Sequence, residues 1–119
     1  VEDVPFSIIE EVPVFPGCKG TNQQKKDCLN KKMRKHVQRH FDAELANELG
    51  LAPGKKRIFV QFKIDKDGTI TSVNARAPHP RLKKEAERIA KKLPKMVPGR
   101  QRGKPVRVGY TLPITFNVE

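Results

Sequence analysis

The sequence predicts an α+β fold, a small antiparallel sheet made of a hairpin and a long C-terminal edge strand, packed with helices. Three patterns predict it. Every second residue from Val106 to Val118 is apolar: Val106, Val108, Tyr110, Leu112, Ile114, Phe116 and Val118, with Arg107, Gly109, Thr111, Pro113, Thr115 and Asn117 between them. That is a half-buried strand about 40 Å long at ~3.3 Å per residue. Ile58, Val60, Phe62 and Ile64 alternate in the same way, and Asp65-Lys66-Asp67-Gly68 turns the chain into a second strand over 69–76. Gly68 suits the left-handed position of such a turn. Leu29, Met33, Val37 and Phe41 form one apolar stripe at helical spacing.

In chain order, residues 1–20 are an extended lead punctuated by Pro5, Pro13, Pro16 and Gly17, with apolar groups at Ile8, Ile9, Val12, Val14 and Phe15. It adds a short strand or lies against the body. The domain proper is expected over 21–119. A first helix fits from about Gln23 to Phe41, and its stripe packs the core, so Met33 is not a cofactor ligand. Asp42 caps a short second helix over 43–49, which Gly50 and Pro53-Gly54 end. After the hairpin, Pro78 and Pro80 open a helix with Leu82, Ala86, Ile89 and Leu93 on its apolar side, and Pro94 closes it. The even residues of the hairpin strand and of the last strand face this helix. The loop 95–104 leads into the last strand.

With 119 residues the chain holds one domain with a real core. It has no initiating Met, no signal-peptide pattern and no apolar run near the ~20 residues of a membrane helix. The expectation is a soluble fragment or mature form, with any anchor outside it. The net charge is +12, and between Lys19 and Arg39 eight Lys or Arg face one acid, Asp27. Such a surface suits nucleic acid, anionic lipid, an acidic protein or plain solvation. With no Trp, one Tyr and no zinc-finger spacing, the nucleic-acid reading is the weaker one, and no nucleic-acid partner is expected.

Cys18 and Cys28 are ten positions apart. In an oxidising compartment a bridge closes a short loop worth about 3 kcal/mol on the chain-entropy model. Zinc needs four ligands, and neither C-x-x-C nor a finger-spaced His pair is present. His36 and His40 share a helical face, a metal half-site or two solvated histidines; beside Lys35 and Arg39 the second reading is preferred, with no metal and no cofactor. Ser7 and Ser72 stand in no nucleophile setting, and Asp65 and Asp67 serve the turn, so no catalytic residue is expected.

Pro113 has no N–H to give a ladder, so its strand is an edge strand or is bulged there. A long edge is where another chain adds a strand. Backbone groups alternate sides along a strand, so the parity of Pro113 faces the open edge. Arg107, Gly109 and Thr111 then offer backbone to a partner, while Val108, Tyr110 and Leu112 bond the neighbouring strand. Docking centres on Arg107 to Thr111.

The hairpin Arg57-Ile-Phe-Val-Gln-Phe-Lys-Ile-Asp-Lys-Asp-Gly-Thr-Ile70, the helix with Leu82, Glu85 and Ala86, the loop Leu93-Pro-Lys-Met-Val-Pro-Gly-Arg-Gln-Arg-Gly-Lys-Pro105 and the strand ending Leu112-Pro-Ile-Thr-Phe116 together resemble the C-terminal domain of TonB, in its Bacteroidetes version. The resemblance covers roughly 41–118, and Val12-Pro-Val-Phe-Pro-Gly-Cys18 is also similar to that group. It implies a periplasmic module of an inner-membrane-anchored energy transducer that works with ExbB and ExbD through segments outside this chain. In that family the TonB box of an outer-membrane receptor pairs as an added strand beside the last strand, and force from the proton gradient passes to the receptor plug. Carried over, the docking residues are Arg107, Val108, Gly109, Tyr110, Thr111 and Leu112. The family often has Tyr-Pro where this chain has Phe41-Asp42, which makes Phe41 a secondary contact. The oxidising compartment favours a Cys18–Cys28 disulfide. A basic nucleic-acid-binding module and a TolA-like periplasmic structural domain are the alternatives.

Overall fold

The computed structural model describes residues 3–118. In chain order the elements are β1 (Asp3–Pro5), α1 (Asn22–His40), α2 (Ala43–Glu48), β2 (Gly54–Ile64), β3 (Ile70–Arg76), α3 (Pro80–Lys91), β4 (Arg100–Gln101), β5 (Lys104–Pro105) and β6 (Arg107–Val118). Thr21 starts α1 with a capping box: its hydroxyl accepts from the Gln24 N–H, and the Gln24 side chain accepts from the Thr21 N–H. The Asp42 side chain accepts from the Glu44 and Leu45 N–H groups at the start of α2. His79 caps α3 through Nδ1, which accepts from the Arg81 N–H at 3.1 Å.

The main sheet has the order β1-β6-β2-β3. β2 pairs antiparallel with β3 and with β6, as the hairpin and final strand predict. The addition is β1, which runs parallel to β6 and makes the sheet mixed. The small β4–β5 hairpin lies inside the loop before β6. β2 begins at Gly54, ahead of its alternating apolar run, because its first residues pair with the end of β6 from Val118 onward.

The even residues Ile58, Val60, Phe62, Ile64, Tyr110, Leu112 and Ile114 are buried together with Leu29, Met33 and Val37 of α1 and Leu82, Ala86 and Ile89 of α3. Thr111, Pro113 and Thr115 on the opposite face of β6 are exposed. One face of the sheet therefore carries the helices and the other meets solvent, the arrangement that period-two alternation encodes.

Gly68 ties the hairpin turn to the loop after α3. Its φ is +86°, and a Cβ there falls 1.7 Å from the Met96 carbonyl oxygen. The Met96 N–H donates to the Gly68 C=O at 2.9 Å. Only glycine meets both demands. The lead runs beside the following segment, with mutual N–H to C=O bonds between Glu11 and Arg100 and between Val14 and Val97. Val4, Ile9, Val12, Val106 and Val108 bury one another as a second, smaller cluster.

Candidate functional site

β6 is paired unequally on its two sides. Toward β2 the register runs without a break from Gly54↔Val118 to Ile64↔Val108. Toward β1 it has three pairs, Asp3↔Arg107, Val4↔Val108 and Pro5↔Gly109. The Phe6 N–H donates to the Gly109 C=O at 3.0 Å. Gly109 thus points its backbone groups at β1, and by alternation so do the other odd residues of β6, while the even ones bond β2. Pro113 is odd and sits where a missing N–H costs no ladder bond. Past Gly109 the outward groups are both groups of Thr111, the C=O of Pro113 and both groups of Thr115 and Asn117; no described strand pairs with them.

The other exposed edges are blunted. β3 carries a register shift opposite Gln61–Lys63, and Ser72 in it has φ 53°, the bulged geometry that spoils an edge for pairing. Its Ala75 N–H is taken by the Glu87 carboxylate of α3 at 3.1 Å. Val4 of β1 and Phe6 just after it turn their backbone groups toward β6, which leaves those of Asp3 and Pro5 outward, a charged residue and one without N–H. The least interrupted open edge among the described strands is the second half of β6, where Pro113 alone lacks an N–H.

That half forms one wall of a groove of about 770 Å³. Pro5, Phe6 and Ser7 close one end, and Lys26, Asn30, Arg34, Val37 and Gln38 of α1 form the facing wall. Tyr110 fixes α1 against the strand: its hydroxyl donates to Asn30 Oδ1 at 2.6 Å. The Phe6 ring meets Tyr110 edge-on at 5.0 Å, and the Lys26 ammonium stands 5.6 Å over the Phe6 ring. Burial pushes the Tyr110 hydroxyl pKa up to about 12, with the positive Arg34 pulling weakly the other way.

β1 is held by modest contacts. Asp3 pairs with Lys63 and, at 3.6 Å, with Arg107, which also lies 3.6 Å from Asp65. The Lys63 hydrogen bond first, then the nearby positive charges, hold the Asp3 carboxyl below its usual range. Such solvent-screened pairs add little to stability. The apolar anchor is Val4, and a Cys18–Cys28 bridge fastens the lead to α1 with the Cα atoms 5.9 Å apart.

The sequence-predicted residues separate into three places. Val108, Tyr110 and Leu112 face the core, and Thr111 is exposed on the open edge. Arg107 and Gly109 were expected to lie open, but β1 takes their side of the strand, so the open edge begins at Thr111. The lead reaches it because a three-residue parallel strand needs no tight turn, which period-two patterning does not reveal. Phe41 packs on Phe116 with ring centroids 5.3 Å apart, away from the groove. His36 points Nε2 at the Ile89 carbonyl oxygen at 2.8 Å, so that nitrogen carries the proton and is engaged. Among the described residues no cluster of three metal-ligating side chains occurs. The α1 wall, with Asn30 and Arg34, was not singled out in the sequence, where a helical stripe marks the core side and leaves the flanks undistinguished.

The family model of the Gram-negative bacterial TonB protein C-terminal matches residues 56–118, more than half of the chain. The match takes in β2 through β6 and leaves out β1, α1 and α2. No curated protein and no solved structure matches the chain. No described helix is long and apolar enough to cross a membrane.

Proposed function

Because the chain belongs to the family of Gram-negative bacterial TonB C-terminal domains, we propose that it grips the TonB box of an outer-membrane receptor as a strand added to β6 and passes force to it. The observation that carries this reading is the unpaired edge from Thr111 to Asn117, interrupted only at the Pro113 N–H, in a sheet whose other edges are more strongly blunted. Docking there centres on Thr111 and the residues after it. Arg107 and Gly109 join only when β1 leaves, and Phe41 supports the far end of the edge through Phe116.

A strand-addition contact draws its affinity from main-chain hydrogen bonds, which tolerate variation in the partner and suit a transducer that serves several receptors. Each bond nets ~1 kcal/mol, so the contact is modest in affinity. Loaded along the strand, its bonds share the force. The rest of the proposal follows the family role: a periplasmic domain, tethered to the inner membrane through segments outside this chain, that works with ExbB and ExbD to drive nutrient uptake such as that of siderophores. Nothing in that role needs a catalytic group.

Two proline substitutions test the edge. Thr111→Pro removes one outward N–H, so it weakens a TonB-box peptide by ~1 to 3 kcal/mol in calorimetric titration while the fold survives. Leu112→Pro removes an N–H that bonds β2 and a buried side chain, and it costs several kcal/mol of stability in thermal melts. Undiminished binding by Thr111→Pro, with a folded but non-binding Leu112→Pro, reverses the parity and sinks the reading.

A further inference from the structure

The groove has a second wall that the family match does not include. α1 lies wholly upstream of residue 56, yet it supplies the side chains that face the open edge. Of the charged groups lining the groove, Lys26 and Arg34 are both positive, and no Asp or Glu lines it. Lys26 is engaged over the Phe6 ring. Arg34 is exposed, and among the described residues it forms no salt bridge. It stands close enough to Tyr110 for its charge to act on the hydroxyl.

A strand added to β6 turns every second side chain toward α1, since side chains alternate between the two faces of a sheet. Those side chains meet Val37, which is buried, and the unpaired Arg34 guanidinium beside it. A guanidinium at the rim of a partly closed groove prefers a carboxylate, and its planar fork binds one through two parallel N–H groups. We infer that Arg34 is a specificity residue: the segment docked on β6 carries an acidic side chain on its α1-facing side, and Arg34 selects it. This inference rests on the strand-addition reading and names the chemistry of its partner.

The probe is a set of capped peptides of about ten residues, alternating Thr and Val, with one central Glu, Gln or Lys. They are titrated into the full chain and its variants at about 0.15 M salt, where distant surface charges are screened. The Glu peptide is expected to bind the parent about tenfold more tightly than the Lys peptide, the preference reversing in Arg34→Glu. Arg39→Glu makes the same charge change on α1 away from the groove, and it is expected to leave the preference intact. Equal binding of Glu and Lys peptides by the parent overturns the inference, as does an equal effect of the two Arg variants. Thr111→Pro separates this from the reading beneath it. If binding falls in Thr111→Pro but ignores Arg34→Glu, the edge stands and Arg34 has no selective role. If the Glu peptide binds Thr111→Pro as well as the parent, or no peptide binds at all, strand addition fails and the Arg34 role with it.

Discussion

Tyr110 is the one tyrosine in a chain without tryptophan, so its ionisation is read directly from ultraviolet absorbance. Burial between Phe6, Phe62 and α1 disfavours the phenolate and places its pKa at about 12 instead of 10.0. A raised pKa on an acid means that the native state keeps a proton the unfolded chain releases. Stability from this group is whole below pH 10 and is lost as pH rises from about 10 to about 12. An absorbance titration is expected to show one step near the upper value, and a step near 10 places the ring in water. Tyr110→Phe removes that alkaline slope and costs about 1 kcal/mol at neutral pH through the lost bond to Asn30. At this scale the sequence was legible wherever a residue has one strong backbone demand. Pro113 gave the parity of β6 correctly because a missing N–H permits only one side. Arg34 was illegible, since eight Lys or Arg lie between Lys19 and Arg39 and only the fold decides which of them faces the groove.

Among the elements, those with a periodic stripe or a capping residue were readable, whereas the lead was expected only to add a short strand or lie against the body. α1, α2, α3 and the β2–β6 pair declare themselves through stripes, caps and alternation. β1 is three residues long, and the bulge at Ser72 rests on one positive φ, so neither leaves a periodic trace. Yet β1 decides how much of the β6 edge is open. Val4→Asp puts a charge into the small cluster of Val4, Ile9, Val12, Val106 and Val108, and it is expected to free β1 while leaving the β2–β6 ladder whole. Amide hydrogen exchange reads this residue by residue. Arg107 and Gly109, which face β1, become fast, whereas Val108 and Tyr110, which face β2, stay protected; uniform acceleration contradicts a separable β1. The Asp3 pairing is insensitive to pH in the neutral range. Its carboxyl is already held below its ordinary value of 3.8, so the stability it adds is present above that value and is lost only as pH falls through the lower, folded one.

For the molecule as a whole, the same features set the order in which it yields to force. The long dimension is 49 Å, and the β2–β6 ladder runs from Gly54↔Val118 to Ile64↔Val108. Under the proposed strand addition, tension applied at the N-terminal end and leaving through a strand docked on β6 meets β1 first, held by three register pairs, a small cluster and exposed ion pairs. The lead peels as far as Cys18, where the bridge to Cys28 hands the load to α1 directly. Cys28 lies between Lys26 and Asn30, both in the groove wall. The load therefore arrives beside the docked strand and bypasses the first turn of α1. With the handle at the N-terminus and a box peptide as the second attachment, single-molecule pulling is expected to show an early, low-force gain of less than about 50 Å, the extended length of some fifteen residues at ~3.4 Å each less the distance the lead already spans. The next event is release of the peptide with the domain still folded. Reduction of the bridge removes the stop, costs about 3 kcal/mol in thermal unfolding, and lets α1 unravel from Asn22 before the peptide lets go. Identical traces with and without reductant contradict this load path and leave the disulfide a purely static brace.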